Sequence, residues 1–153
     1  MLAIAASDPR EQIQWILRGL DMVHADPSQK RWLAALYNNL GESYAKAGEY
    51  QAALEAFAKL GDDLYALKDQ SRMLRLLGRP GHALSVIEPL IKDRKAPDGW
   101  ISAEYAECLA AVGNKIEAQR YAAEGYALLK DDAWLKQNDP AMMERLKSLA
   151  NEA

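Results

Sequence analysis

Three times in this chain a glycine is followed five residues later by an alanine: Gly48/Ala53, Gly78/Ala83 and Gly113/Ala118. Seven residues before each glycine stands a small residue (Gly41, Ser71, Ala106), and four before it a large one (Tyr44, Leu74, Leu109). Eleven before it the first two copies have Tyr37 and Leu67; the third has Ser102, with Trp100 and Ile101 just ahead. The copies are spaced by 30 and 35 residues, a period that belongs to stacked helical hairpins. A fourth pair, Gly61/Ala66, lacks the surrounding pattern and is set aside as coincidence. Hairpin stacks work by presenting a surface, so the expected task is binding.

The rest of the chain agrees with an all-helical fold. It has three valines, seven isoleucines and no threonine, and its apolar residues recur at three- and four-residue intervals. Asp8-Pro9-Arg10-Glu11 predicts a helix start, with the helix running to about His24. Asp26-Pro27 restarts a second helix by the same device, ending at Gly48. Further helices are expected over Tyr50–Leu60, from Asp63 to Leu77, His82–Lys92, Trp100–Ala111 and from Asn114 to Leu129. Pro89 predicts a kink or an early end to the fifth. A polar segment holding Trp134 follows, and Asp139-Pro140 opens a terminal helix.

Close packing of two antiparallel helices asks for small side chains at their crossing. Gly41, Ser71 and Ala106 in the leading helices, and Ala53, Ala83 and Ala118 in the trailing ones, fit that place. The glycine between them suits the positive φ that a helix end followed by a tight turn often needs. Each hairpin alone leaves an apolar face open, so stability comes from stacking and the ends need covers.

On these residues the chain resembles the tetratricopeptide repeat family. Tyr37-x2-Leu40-Gly41-x2-Tyr44 followed by Ala53-x3-Phe57 looks like its signature, with tyrosine for the usual first tryptophan. The second and third units are degenerate, and the resemblance covers about Ser28 to Leu129. It implies a right-handed superhelical stack of about three hairpins with helical caps. The boundaries are an N-terminal helix over 1–27, units over 28–61, 62–96 and 97–130, and a linker with capping helix over 131–153, in one domain.

The resemblance also implies a groove, lined by the leading helices, that holds peptide segments. Helical spacing assigns to it Asn38 and Glu42 from the first unit, Tyr65, Lys68, Arg72 and Arg75 from the second, and Trp100, Glu104 and Glu107 from the third. Lys68, Arg72 and Arg75 form a basic stripe fit for an acidic peptide or a chain-terminal carboxylate. The opposing reading is that Asp62 and Asp63 with the arginines complement the helix dipole, and that Glu42 or Glu107 neutralises the stripe. If the stripe is free, glutamates in place of Arg72 and Arg75 abolish capture of acidic partners and leave folding nearly unchanged. Glu42 stands where the carboxylate clamp of chaperone-binding relatives needs lysine or asparagine, so that activity is not expected.

Nothing in the chain announces catalysis. It has no phosphate-binding glycine loop, no H-E-x-x-H, and a single cysteine, Cys108, read as a small buried hydrophobe. His24 and His82 lie at different helix ends with no metal-ligand spacing and are read as capping or solvent-facing groups. No enzyme activity, cofactor or metal is expected. The net charge of -3 argues against nucleic acid and anionic membranes as partners. The start MLAIAASDPREQ is a poor signal peptide and too short to span a bilayer, so a cytoplasmic protein with a protein or peptide partner is expected. The alternatives are a regulatory or scaffold domain of a larger protein, and a structural stack that self-associates through an uncovered end.

Overall fold

The computed structural model describes residues 8–151, so the apolar start on which the targeting argument rests lies outside the described residues, as do Glu152 and Ala153. Among the described residues the ordered elements are all helical: α1 (Pro9–Ala25), α2 (Leu33–Lys46), α3 (Tyr50–Ala58), α4 (Leu64–Leu76), α5 (Pro80–Lys92), α6 (Gly99–Ala111), α7 (Lys115–Leu129), α8 (Ala133–Asn138) and α9 (Pro140–Asn151), with a 3-10 segment at Pro27–Trp32. They gather into two compact units, one ending at Met73 and one beginning at Leu74.

The three matched glycines end their helices in one and the same way. Gly48, Gly78 and Gly113 have φ of 77°, 77° and 85°. In each case the next residue donates its backbone N–H to the large residue four before the glycine: Glu49 to Tyr44, Arg79 to Leu74 and Asn114 to Leu109, all at 2.9 Å. This six-residue closure satisfies a carbonyl that the helix end would otherwise leave unpaired, and it requires the left-handed conformation at the glycine. The repeat spacing thus records a turn geometry as well as a packing pattern. Gly61, set aside in the sequence, also has a positive φ of 65° where α3 ends.

In the first unit, the Asp8 side chain accepts the Arg10 N–H at 3.0 Å and opens α1. The Ile13, Leu20, Leu40 and Ala56 side chains then form one core, with Ile16, Leu17, Leu36 and Tyr37 against it. The second helix does not start at Asp26 as expected. Asp26 caps a 3-10 segment, accepting the Ser28 N–H at 3.0 Å, and the α-helix begins only at Leu33. At the crossing of α2 and α3, Gly41 faces the ring of Phe57. A Cβ at Gly41 would stand 2.5 Å from Phe57 Cε1, and Phe57 is fully buried. Met73 of α4 joins Ala53 and Phe57 in the same cluster, and Asp63 caps α4 by accepting the Ala66 N–H at 2.9 Å.

In the second unit α5 starts two residues earlier than expected, at Pro80, and does not end early at Pro89 but runs on to Lys92. Pro89 is exposed, so the missing donor lies on the solvent side of the helix. Between α5 and α7 stands α6, with Ile101, Tyr105, Ala106, Cys108 and Leu109 all buried. A helix packed on more than one side must be apolar around most of its circumference, and α6 is. Gly125 lets α7 come close: a Cβ there would stand 3.2 Å from the backbone N of Ala103. The segment holding Trp134 is not merely polar linker. Asp132 accepts the Leu135 N–H at 2.7 Å, α8 forms, and Leu135 is fully buried with Leu146 and Leu149 of α9.

Candidate partner-binding face

Five of the expected residues lie in the first unit, on α2 and α4, and of these Glu42 and Arg72 meet across the two helices. Asn38 and Tyr65 are exposed, and Glu42, Lys68 and Arg72 are partly so. Arg72 Nη2 lies 3.2 Å from Glu42 Oε1, with about a third of each side chain or more in solvent (33% and 40%). Lys68 Nζ lies 3.0 Å from Asp69 Oδ1, and Arg72 Nε lies 3.8 Å from the same oxygen. Asp69, a residue the sequence reading did not single out, is therefore the buried counter-charge of the stripe. Its place on the inward side of α4, one residue from Lys68 and three from Arg72, was the available signal.

The remaining four residues fall in the second unit, and there the groups are committed to the fold. Arg75 grips Glu104 with both prongs, Nε to Oε1 at 2.7 Å and Nη2 to Oε2 at 3.2 Å. Glu104 is only 7% exposed. Burial opposes the Arg75 charge, and the hydrogen bonds and charge of Glu104 outweigh it, holding the guanidinium above its ordinary range. Glu107 accepts from Arg145 Nε of α9 at 3.0 Å. Trp100 lies against the α7–α9 core, its ring edge-on to Trp134 with centroids 6.1 Å apart. Of the two readings of the stripe, neutralisation describes Arg72, which Glu42 meets, while Arg75 is met by Glu104 rather than Glu107, so reversing the charge of Arg75 is expected to damage the fold.

A further polar cluster explains the odd third unit. Ser102 stands where the repeat pattern asks for a large side chain, and its hydroxyl donates to Glu124 on α7. Arg94, from the linker after α5, bonds the same carboxylate at 2.7 and 3.1 Å and lies 5.7 Å from the centre of the Tyr121 ring. The Arg94 hydrogen bonds chiefly, and that of Ser102, hold Glu124 below its ordinary range against the effect of burial. The space that a large apolar residue would fill is thus met by an ion pair anchored on a small hydroxyl.

Among the described residues no group of three or more His, Cys, Asp or Glu side chains is placed to hold a metal ion. No described helix is long and apolar enough to cross a membrane. Cys108 is buried, and His24 and His82 are exposed.

Hairpins closed by a left-handed glycine and packed in sequence define the tetratricopeptide-like class of helical fold. The structure of the first TPR domain of the human RPAP3 protein is similar, with a TM-score of 0.58 over 80% of this chain and 98% of that one. At 15% identity that likeness is one of fold. No family model and no curated protein matches the chain.

Proposed function

We propose that the chain is a non-catalytic protein-interaction module that receives a partner segment on the face formed by α2 and α4. The observation that carries this reading is the uneven state of that face. Its charges are largely balanced internally, while Asn38 and Tyr65 stand exposed on it, Tyr65 with nearly half of its surface in solvent (48%). An asparagine amide supplies donors and an acceptor to a peptide backbone, and an exposed tyrosine supplies a broad apolar face with one hydroxyl. A partner recognised here is polar and aromatic-compatible rather than strongly acidic, because Lys68 and Arg72 are already paired to Asp69 and Glu42. Leading-helix faces are the surfaces on which this class of fold has room to bind.

The test is site-specific photo-crosslinking from position 65, with the exposed Lys59 position of the same unit as control. Adducts from position 65 alone, lost on adding Asn38→Ala, support the reading. Equal adducts from both positions would overturn it. Helical circular dichroism of each variant checks that the fold is kept.

A further inference from the structure

A second concavity lies in the first unit, where the opening turns of α1 meet the end of α2 and the turn into α3. It is a cleft of about 250 Å³ lined by Arg10, Ile13, Gln14, Leu17, Tyr44 and Glu49. It shares no residue with the face of α2 and α4 proposed above. The floor is apolar: Ile13 is buried, and Leu17 and Tyr44 form the open margin of the core that contains Leu20 and Leu40. The rim is polar, with Arg10, Gln14 and Glu49 all exposed. Among the described residues the Arg10 guanidinium and the Glu49 carboxylate enter no ion pair or side-chain hydrogen bond.

We infer that this cleft binds a short peptide segment presenting one leucine-sized side chain between an acidic and a basic residue. The volume is below that of sites that enclose whole small-molecule ligands and suits a single large aliphatic side chain. Removal of that side chain from water onto Ile13, Leu17 and Tyr44 supplies the drive. The Arg10 fork takes the segment's carboxylate, and Glu49 takes its cation. Opposite charges on the rim select the order of events by repulsion as well: a segment with two like charges meets one unfavourable contact wherever it sits. Gln14 adds a donor and an acceptor for the segment's backbone.

Fluorescence anisotropy with labelled peptides of sequence GEALAKG, GEALAEG, GKALAKG and GEASAKG tests this. The mixed-charge leucine peptide should bind best. Serine for leucine should weaken it about tenfold or more, and each like-charged peptide should bind about threefold more weakly. Arg10→Glu should shift the preference to GKALAKG, and Glu49→Lys should shift it to GEALAEG. Both sites are exposed, so circular dichroism should be unchanged. Asn38→Ala with Tyr65→Ala should leave this binding intact, which separates it from the face of α2 and α4. Methyl resonances of Ile13 and Leu17 should move on peptide addition. Equal binding of the three charge patterns, no binding at millimolar peptide, shifts confined to other methyls, or equal binding of free leucine would each overturn the inference.

Discussion

Arg72 and Arg75 stand about one turn apart on α4, and each meets a glutamate from another helix, yet the two pairs do different things. Arg72 touches Glu42 with one nitrogen at 3.2 Å, in a setting where both side chains stay substantially in solvent. Arg75 holds Glu104 with two hydrogen bonds, and there the carboxylate is nearly sealed from water. The first pair exchanges hydration for a weak attraction and is open to competition. The second has no water to return to, so either partner alone would be a stranded charge. The same contrast runs through the two units. The first fits an aromatic ring into a glycine notch and shares its buried carboxylate, Asp69, between Lys68 and Arg72, while the second gives its buried carboxylate, Glu104, one two-pronged partner.

The largest effect should come from breaking the sealed pair. Arg75→Met removes the partner of a buried carboxylate and should destabilise the chain by about 3 kcal/mol, read as a lower urea midpoint with an unchanged slope. Glu104→Gln added to it should recover part of the loss, because the stranded charge is gone. An Arg75→Met variant with the wild-type midpoint would erase the distinction between the two arginines.

Next is the notch. Gly41→Ala would place a methyl 2.5 Å from the ring of a fully buried phenylalanine, and overpacking of this kind costs about 1–3 kcal/mol. Alanine is the better helix former by about 1 kcal/mol, so a net loss of up to about 2 kcal/mol is expected. Phe57→Leu should relieve the clash, making Gly41→Ala less costly in that background than in the wild type. Equal costs in both backgrounds would mean that the ring is not what the glycine accommodates.

How far these features could be read beforehand differs by kind. The hairpin turns were legible because a left-handed helix end leaves a glycine at a fixed distance from a large residue, and Tyr44, Leu74 and Leu109 mark it three times. The crossing was half legible. Gly41 announced a close approach, but Phe57 as its partner depends on how the two helices rotate about each other. The fate of the stripe was only partly legible: the sequence offers Glu42 as a neutralising partner, and it does meet Arg72. Lys68, Arg72 and Arg75 lie on one side of α4 by spacing alone, and only the fold brings Glu104 to Arg75 and turns Asp69 inward. The neighbour of Trp100 was not legible for the same reason, since the helix that presents Trp134 was hidden in a segment of polar residues.

The linker clamp of the second unit sharpens the comparison through pH. Arg94 and Ser102 hold Glu124 below its ordinary value of 4.5. A depressed folded value means that the stabilisation is complete above the ordinary value and disappears as pH falls through the folded one. Glu124→Gln should therefore cost about 1 kcal/mol at neutral pH, with the gap to wild type closing in acid. A gap that persists unchanged at low pH would show that the carboxylate acts there by shape alone.

The smallest effect is expected where the comparison began. A double-mutant cycle of Glu42→Ala and Arg72→Ala should give a coupling of about 0.5 kcal/mol or less, shrinking as salt is added. Arg72 retains Asp69 as a second neighbour at 3.8 Å, so loss of Glu42 does not leave its charge alone. Asp69 likewise keeps Lys68 at 3.0 Å when Arg72 is removed. That redundancy makes the pair on α2 and α4 separable without loss of the fold. A coupling as large as that of the Arg75–Glu104 pair would place Glu42 among the residues that hold the fold, and would remove it from the face proposed to bind.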